Sequence, residues 1–413
     1  MTGGVTILGA GIVGICTALS LAERGVQVRL IDRGAPGQET SFGNAGVISP
    51  WSIVPQSQPG LWRQIPRLML GRYRPLAVRA ASWPAMMRWG ARFLRNGTEA
   101  KVRQTSAAME ILCGPSVDLY RKHLRGTGAE GLVVDAMYIH AFRNVAGASL
   151  SSLGYAIRKE RGADIEVIDQ AALRRLEPAL SADFQAGVVI KGQARARNPG
   201  RIAEVLSHKA QGLGVEVLRR EVQALTRSET GWQVICAGEV FDADRVIVSM
   251  GAWSARLLKP LGYAMPLMAE RGYHVEFPDP GLDMAHSVMD VDAACIASSM
   301  EGGLRFAGQA EFGPLDAPED PRRKAHLTAL AKAAFPGLNT DAPRLWMGRR
   351  PSLPDGLPAL GPLDAERGLY VNFGHCHYGL MMAPKSGEVL ADIVTRTPPN
   401  QDLSAFSPGR FQP

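Results

Sequence analysis

The stretch Val5-Thr6-Ile7-Leu8-Gly9-Ala10-Gly11-Ile12-Val13-Gly14 decides the fold, together with Val26-Gln27-Val28-Arg29-Leu30-Ile31-Asp32, which follows it. An apolar run opens into a glycine turn, a helix-like stretch extends to Arg24, and a second apolar run ends on an acid. This order predicts a strand, a helix and a second, parallel strand. We therefore expect an α/β layer at the beginning of the chain.

The three glycines and the acid of this unit suit an adenine dinucleotide. Gly9 permits a tight turn off the strand, Gly11 lets the backbone approach a pyrophosphate, and Gly14 lets the helix pack closely on the strand. The helix start offers unpaired N–H groups and a positive dipole end to the phosphates, and Asp32 can accept hydrogen bonds from ribose hydroxyls. The unit predicts a nucleotide cofactor and redox chemistry; the alternative is an α/β core whose glycine turn holds no ligand.

Length and composition bound the class of protein. The chain has 413 residues, of which 46% are hydrophobic and 21% charged, and this length suggests two or three domains. The sequence predicts no secretory signal, no internal repeat and no transmembrane helix. The five cysteines are scattered and form no CxxC pair, which fits free thiols in a reducing compartment and a cytoplasmic location.

The segment 51–103 concentrates positive charge and tryptophan. It holds ten Lys and Arg residues against one acid, Glu99, so its net charge is +9 while that of the whole chain is +7. Four of the seven tryptophans lie there as well. Arginines mixed with tryptophan and leucine suit an anionic lipid surface, such as the inner face of the cell membrane. A solvated helical face and a nucleic-acid site are the two alternatives.

A loop rich in small residues follows the first unit, at 34–46. Its glycines allow the backbone to lie against a flat ligand, and Ser41 and Asn44 can bond phosphate or ring atoms. Strand signals of the same α/β type recur in the middle and at the end of the chain, and strand alternation from Tyr273 to about Phe312 predicts a second sheet. We therefore predict a discontinuous cofactor domain made of 1–50, 195–255 and 345–413. The remaining segments, 51–194 and 256–344, are predicted to form a substrate domain.

Five separated motifs resemble those of the D-amino-acid oxidase/dehydrogenase superfamily of FAD enzymes. They are the unit 9–32, the loop Glu39-Thr40-Ser41 with Asn44-Ala45-Gly46, the strand 246–253, the segment Gly348-Arg349-Arg350-Pro351, and the final segment 374–387. The match spans essentially the whole chain. Within the superfamily the chain is most similar to the bacterial D-amino-acid dehydrogenases, through Thr40-Ser41-Phe42, Asn44-Ala45-Gly46, Ser49-Pro50 and Arg271-Gly272-Tyr273.

The resemblance implies non-covalently bound FAD and an α/β fold (α+β overall) with two domains. A Rossmann-like domain would hold FAD, and a mostly antiparallel β domain would cover the reactive face of the flavin. The start of the last helix would point at the pyrimidine edge of the flavin, where its dipole stabilises the charge of the reduced ring. The predicted cofactor-binding residues are Gly9, Gly11, Ile12, Val13, Gly14, Asp32, Arg33, Ser41, Asn44, Ala45, Gly46, Val222, Gly251, Trp253, Gly348, Gly374, Gly379 and Leu380.

Three residues are predicted to be catalytic, and the resemblance implies the role of the first. Arg350 aligns with the arginine that binds the substrate carboxylate, and a guanidinium can hold a carboxylate through two parallel N–H bonds. Arg349 should point to the opposite face of an extended strand and serve the structure. Tyr273 can offer its hydroxyl to the substrate or be a core tyrosine, and His377 can face the substrate or only pack its loop. His375 and His377 lie two residues apart, but no third ligand is visible, so we predict no metal site.

These expectations combine into FAD-dependent oxidation of a D-amino acid. The substrate carboxylate would dock on Arg350, and hydride transfer from Cα to flavin N5 would give an imino acid, which water converts into a 2-oxo acid and ammonia. D-Proline or a hydroxy-D-proline would give a cyclic imine. The electrons would pass to a quinone or a carrier. Two alternatives stay open: oxidation of sarcosine, glycine or an opine-type N-substituted amino acid, and a nucleic-acid-associated flavoprotein.

Overall fold

The computed structural model describes residues 4–229 and 231–412. Its strands are β1 (Val5–Leu8), β2 (Val28–Asp32), β3 (Val47–Ile48), β4 (Leu76–Val78), β5 (Val133–Phe142), β6 (Ile165–Asp169), β7 (Ala186–Ala196), β8 (Glu216–Arg219), β9 (Val222–Arg227), β10 (Trp232–Cys236), β11 (Glu239–Ala243), β12 (Arg245–Val248), β13 (Met268–Phe277), β14 (Ser287–Asp290), β15 (Cys295–Met300), β16 (Gly303–Phe312), β17 (Arg344–Ser352), β18 (Ala359–Asp364) and β19 (Leu369–Phe373).

The helices are α1 (Ile12–Ala22), α2 (Leu61–Leu70), α3 (Trp83–Arg95), α4 (Glu99–Cys113), α5 (Ser116–Leu124), α6 (Leu153–Glu160), α7 (Gln170–Leu176), α8 (Pro199–Gly212), α9 (Ser254–Leu258), α10 (Arg322–Ala334) and α11 (Gly379–Val394). Together the strands and helices form a mixed α/β fold, as the sequence predicted.

The first sheet is the predicted α/β layer, with the strand order β18-β19-β12-β1-β2-β8. All of its neighbours are parallel except β18, which runs antiparallel to β19. Strand β1 is central and buried throughout, because α1, α8 and α11 lie on one face of the sheet and the three-stranded meander β11-β10-β9 lies on the other. This two-sided cover explains the unbroken apolar run of β1, since a parallel strand buried on both faces needs no polar alternation.

Two glycines of the first turn are required by close backbone packing. Gly9 has a φ of +107°, and a Cβ there would lie 2.4 Å from the carbonyl oxygen of Ser249 on the neighbouring chain segment. A Cβ on Gly14 would lie 1.9 Å from the carbonyl oxygen of Gly9 itself. Gly14 therefore lets α1 start directly against the turn, which is the role that the motif predicted for it.

The second sheet has the strand order β17-β13-β16-β15-β14-β5-β7-β3, with β4 paired to β16 and β6 to β7. It is mostly antiparallel; the β14–β5 and β16–β4 pairs are parallel. Its core cluster, on the side of α10, includes Tyr273, Phe306 and Leu327. The second sheet predicted at 273–312 is thus present, but it also takes strands from much earlier and later in the chain.

Strand pairing and helix packing group two segments differently from the predicted domains. Strand β17 pairs with β13 along its whole length, which puts 344–352 in the second sheet although we assigned 345–413 to the cofactor domain. Helices α4 and α5 pack against α11, although we assigned 51–194 to the substrate domain. In both cases the position of the segment depends on contacts with residues distant in sequence, which local sequence patterns do not predict.

The basic segment 51–103 contains α2, β4 and α3 and ends in the first residues of α4. Helix α2 buries none of its residues fully, and α3 buries only Trp89. Among the described residues no helix is both long and apolar enough to cross a bilayer.

Candidate active site

A cavity of about 890 Å³ lies between the two sheets. One end is formed where β1, β2 and β12 finish, and the other by the inner face of the second sheet. Ligands of open α/β sheets bind outside the carboxyl ends of the parallel strands, where the loops diverge. The cavity is therefore in the position where folds of this type bind a nucleotide.

The residues predicted to bind the cofactor converge on this cavity although they come from the whole length of the chain. Those that line it are Gly9, Gly11, Ile12, Val13, Asp32, Arg33, Ser41, Asn44, Ala45, Val222, Gly251, Trp253, Gly348, Gly374, Gly379 and Leu380. Gly14 and Gly46 do not line it. Gly46 has a φ of +80°, and a Cβ there would lie 2.6 Å from the carbonyl oxygen of Ala196, so this glycine is needed for packing between the loop and β7.

The nucleotide end of the cavity is held by a short network around Asp32. One carboxylate oxygen of Asp32 accepts from the backbone N–H of Ala10 at 2.7 Å, and the other from that of Gly34 at 2.9 Å. Burial raises the pKa of Asp32, and these two N–H groups oppose that rise. The Ser41 hydroxyl accepts from the N–H of Ile12 at 3.0 Å and so closes the loop onto the start of α1.

The geometry of this end fits the adenine dinucleotide that the motif predicted. A Cβ on Gly11 would meet only the Ser41 hydroxyl, at 3.5 Å, so the turn presents bare backbone to the cavity. The dipole of α1 begins at the same place, which favours a pyrophosphate. The Arg33 guanidinium stacks 4.3 Å from the centre of the Trp253 ring, so these two residues form one wall.

A flat surface follows where the loop 39–46 meets β17. A Cβ on Gly43 would lie 1.9 Å from the ring of Trp346, and one on Gly348 would lie 2.2 Å from the same ring. The Trp346 ring in turn stacks on His274, with centroids 4.9 Å apart. The two glycines therefore let an aromatic side chain lie close to the backbone beside the cavity, a feature that the sequence analysis missed.

Arg350 is placed in the cavity by the register of β17 on β13. Arg350 lies directly opposite Glu270, and Gly348 opposite Gly272. The guanidinium lies over Gly272, where a Cβ would be 2.3 Å from its central carbon. Its Nη1 donates to Glu270 Oε1 at 3.0 Å and to the carbonyl oxygen of Gln309 at 2.8 Å. One edge of the guanidinium is thus fixed by the protein, and Nε and Nη2 make no hydrogen bond to any described residue.

Glu270 is a second feature of the site that sequence reasoning missed. Its side chain is only 4% exposed, and it accepts from Arg350 and from the Ser352 hydroxyl, the latter at 3.0 Å. His377 Nε2 lies 2.6 Å from the same Oε1 that Arg350 holds. Burial alone would raise the pKa of Glu270, but His377, Arg350 and Ser352 together lower it to about 2. The sequence signal that could have revealed Glu270 is an acidic residue directly before the family-like motif Arg271-Gly272-Tyr273, inside an otherwise buried strand.

The two histidines of the turn before α11 lie in different surroundings. His377 lies by Glu270, whereas His375 is buried with its Nε2 3.2 Å from the Ser386 hydroxyl. Cys376 between them has a φ of +50°, which turns the chain so that the two rings part. Burial lowers the pKa of His377, the Glu270 carboxylate opposes that shift, and the net effect favours the neutral imidazole. No group of three or more candidate metal ligands occurs within 4–229 and 231–412.

Tyr273 and Arg349 have protein partners that favour structural roles. Tyr273 is 1% exposed; its hydroxyl donates to Glu311 at 3.2 Å and accepts from the N–H of Asp320 at 3.2 Å. This network favours the core-tyrosine alternative over a contact with substrate. Arg349 points away from Arg350, donates to the carbonyl oxygen of Leu315 at 2.5 Å, and lies 5.5 Å from the centre of the Trp253 ring.

The start of α11 closes the far side of the cavity. Gly379 and Leu380 form its first turn and line the cavity. The N–H groups of a first helical turn have no partner within the helix, and they carry the positive end of its dipole. Tyr120 donates to the carbonyl oxygen of Leu380 at 2.7 Å and so fixes the position of this turn. The arrangement can stabilise negative charge on a flat ring that faces it.

The glycine turn, the cavity at the strand ends and the facing antiparallel sheet define a dinucleotide-dependent oxidoreductase. A family model of FAD dependent oxidoreductases, DAO, matches residues 4–393. The chain therefore belongs to the DAO family, and its cofactor is FAD. It is 34% identical to the D-amino-acid oxidase of Bradyrhizobium diazoefficiens over 98% of each chain. It is 31% identical to the D-amino acid dehydrogenase of Methylobacterium nodulans over 97% of this chain and 98% of that protein.

Solved structures share the fold at lower identity. Glycine oxidase from Geobacillus kaustophilus superposes with a TM-score of 0.74 at 22% identity and covers 98% of each chain. L-Proline dehydrogenase from P. horikoshii gives a TM-score of 0.75 at 17% identity, covering 100% of this chain and 98% of that one. These likenesses confirm the predicted two-sheet architecture.

Proposed function

We propose that this chain oxidises the Cα–N bond of a D-amino acid. The observation that carries the proposal is the Arg350 guanidinium, fixed at Nη1 and placed inside the cavity that fits FAD. Arginine offers a carboxylate two parallel N–H bonds, so an α-amino acid is a suitable ligand for the remaining edge. The two relatives named for D-amino acids support the D configuration.

The residues of the site would act by binding, orientation and one proton transfer. Arg350 holds the carboxylate, and Glu270 keeps the guanidinium from turning. An amino acid arrives with a protonated amine, whose lone pair must be freed before the Cα–H bond can break. His377 is neutral and backed by the Glu270 anion, so its imidazole can accept that proton and be stabilised as a cation.

FAD, held non-covalently, supplies the acceptor for the hydride that leaves Cα. The first turn of α11 would meet the negative charge that then develops on the ring. The released imino acid reacts with water to give a 2-oxo acid and ammonia. The same positioning would serve a cyclic substrate such as D-proline, whose product keeps its ring.

Anaerobic spectroscopy tests the proposal. The purified protein is mixed with D- and L-amino acids, sarcosine and glycine without air, and bleaching of the flavin is followed. We expect D-amino acids to bleach it. Bleaching by an N-alkyl amino acid but by no D-amino acid would replace the proposal with the alternative substrate class.

Substitution of Arg350 tests the carboxylate role separately. Arg350→Met should keep FAD bound but raise KM by roughly 10- to 100-fold, the scale of a charge-assisted hydrogen-bond pair. Arg344→Met is the matched control, because Arg344 is an exposed arginine at the start of the same strand. Equal kinetics for the two variants would refute the role of Arg350.

We also propose that the electrons leave to a quinone or carrier at an anionic membrane surface that the segment 51–103 contacts. Eight large apolar side chains are exposed among the described residues, and four of them belong to this segment: Trp62 (59%), Leu70 (78%), Trp83 (41%) and Met87 (65%). Exposed tryptophan and leucine among arginines support lipid more than nucleic acid, because phosphate contacts need charge alone. Helices α2 and α3 also line the cavity with Ile65 and Phe93 among other apolar residues, so the surface adjoins the site.

A further inference from the structure

A second cation lines the cavity at a distance from Arg350. Arg158 on α6 donates through Nε to the carbonyl oxygen of Trp51 at 2.8 Å and through Nη1 to that of Gly154 at 3.1 Å. Its Nη2 makes no hydrogen bond to a described residue. Arg158 is half-buried and lines the same cavity as Arg350.

No carboxylate balances this charge. Within 4–229 and 231–412, Arg158 forms no ion pair, and the titratable groups that act on it are three phenols, those of Tyr155, Tyr378 and Tyr138. Burial lowers the pKa of Arg158. Arg350, by comparison, has the Glu270 carboxylate as an ion-pair partner. An enclosed cation without an anion is costly, and such sites in proteins are usually completed by a partner.

A neutral histidine beside Arg158 is also incompletely bonded. His140 is 8% exposed, and its Nδ1 lies 2.6 Å from the Tyr155 hydroxyl, while its buried Nε2 has no partner among the described residues. Burial and the charge of Arg158 lower the pKa of His140 to about 3, so the ring is neutral. When Tyr155 donates to Nδ1, Nε2 carries the ring proton inside the protein. Arg158, His140 and Tyr155 line the same end of the cavity, where Arg158 carries a charge that no described acidic residue balances.

The lining between the two cations is apolar. Arg350 reaches over β13 to β16, whereas His140 lies on β5, and β15 and β14 separate β16 from β5 in the sheet. On these intervening strands Ile296 and Met289 line the cavity. A ligand that spans the two ends would therefore have an anionic group at each end and methylene groups between them.

We propose that Arg158, with His140 and Tyr155, forms a subsite for a carboxylate at the distal end of the substrate side chain. This inference rests on the proposed function and deepens it: the substrate is an acidic D-amino acid whose α-carboxylate binds Arg350 and whose side-chain carboxylate binds Arg158. The same subsite would accept the second acid of an N-(carboxyalkyl) amino acid.

The test compares acids with matched neutral substrates in the FAD-loaded enzyme. The pairs are D-aspartate with D-asparagine, D-glutamate with D-glutamine, and D-2-aminoadipate with D-norleucine, so that chain length is varied as well as charge. We expect kcat/KM to be about 10-fold or more higher for the acid in at least one pair, the scale of a buried charged hydrogen bond. A wild-type enzyme that oxidises every neutral partner as well as its acid overturns the subsite, whatever any variant does.

Substitutions then assign the effect to Arg158. Arg158→Met should lower kcat/KM for the preferred acid by roughly 30-fold and for its neutral partner by less than about 3-fold. His140→Phe, which keeps a ring in place, should give a smaller loss of the same selective kind. Arg161→Met is the control, since Arg161 follows the same helix but pairs with Glu110. Equal losses of kcat/KM for acid and neutral substrates would assign Arg158 a structural role instead. A changed flavin spectrum without lost selectivity would assign it to the flavin.

A binding measurement separates failure of the subsite from failure of the proposed function. If no amino acid is oxidised, glutarate and pentanoate are titrated and the flavin spectrum is followed. Tighter binding of glutarate, weakened in Arg158→Met, supports the subsite even when the proposed reaction is wrong. Equal binding of the two acids overturns it.

Discussion

At the scale of the residue, the site depends on one buried carboxylate that faces three polar side chains. Glu270 Oε1 lies within 3.0 Å of both Arg350 Nη1 and His377 Nε2, and Oε2 accepts from Ser352. These side chains come from two segments, Arg350 and Ser352 from β17 and His377 from the turn before α11. Glu270 therefore positions the proposed substrate arginine and the proposed proton acceptor at once.

Removal of this charge should reduce stability in a pH-dependent way. The pKa of Glu270 in the folded protein is about 2, below its ordinary value of 4.5. Its contribution is therefore complete above about pH 4.5 and is lost as the pH falls from there towards 2, and it amounts to about 3 kcal/mol. Glu270→Gln should unfold at lower urea concentration than wild type at about pH 7, and the gap should narrow at about pH 3.5. Ser352→Ala should show a smaller gap, and a gap that does not change with pH would contradict the ion-pair explanation.

At the scale of the element, helix α11 packs on the cofactor sheet and, at its first turn, closes the side of the cavity far from the nucleotide end. It packs on α1 so closely that a Cβ at Gly387 would lie 2.7 Å from the backbone carbon of Cys16. Its first turn is meanwhile fixed by Tyr120 and lines the cavity. The α1–α11 contact thus sets where the dipole of α11 points.

An alanine at Gly387 should displace this helix. The atoms that its Cβ would meet are backbone atoms of Cys16 and Thr17, which cannot turn away, and overpacking of this kind costs about 1–3 kcal/mol. We expect Gly387→Ala to lower the melting temperature and to weaken FAD binding in a fluorescence titration. Gly212→Ala at the end of α8 is the control, because a Cβ there meets nothing within 4 Å. If the melting temperature falls but the FAD affinity does not change, the α1–α11 contact stabilises the fold without positioning the cofactor.

At the scale of the whole molecule, charge and exposed apolar surface coincide on one segment. The +9 of 51–103 leaves about −2 for the rest of the chain. The same segment exposes Trp62, Leu70, Trp83 and Met87. This asymmetry supports a defined orientation towards an anionic surface.

Vesicle sedimentation should reveal that orientation. We expect the protein to pellet with vesicles rich in phosphatidylserine at low salt and to be released as salt rises, because exposed charges are screened. Replacement of Trp62, Leu70, Trp83 and Met87 by Gln should lower binding at fixed salt. Replacement of the exposed Val167 and Val240, which lie outside the segment, is the matched control. A wild-type protein that never pellets would exclude the membrane proposal.

The sequence by itself determined the cofactor layer, because its signals are local. The run from Val5 to Asp32 specifies a strand, a turn, a helix and a second strand through the spacing of its apolar residues. It also specifies the turn through Gly9 and Gly14, where any side chain would collide with backbone atoms. The start of the last helix was also predicted in the final segment 374–387, where α11 begins at Gly379. The role of Arg350 came from a resemblance, and its place in the cavity agrees with it.

Only the tertiary structure decided which side chains meet. The pairing of β17 with β13 brings Glu270 to Arg350 across 80 positions of sequence, and the turn at Cys376 brings His377 to the same oxygen. Arg158 and Arg350 likewise face one cavity because two sheets enclose it. Strand register and sheet order are set by the sum of many weak long-range contacts. A polar residue in a buried strand therefore does not reveal its partner until the chain has folded around it.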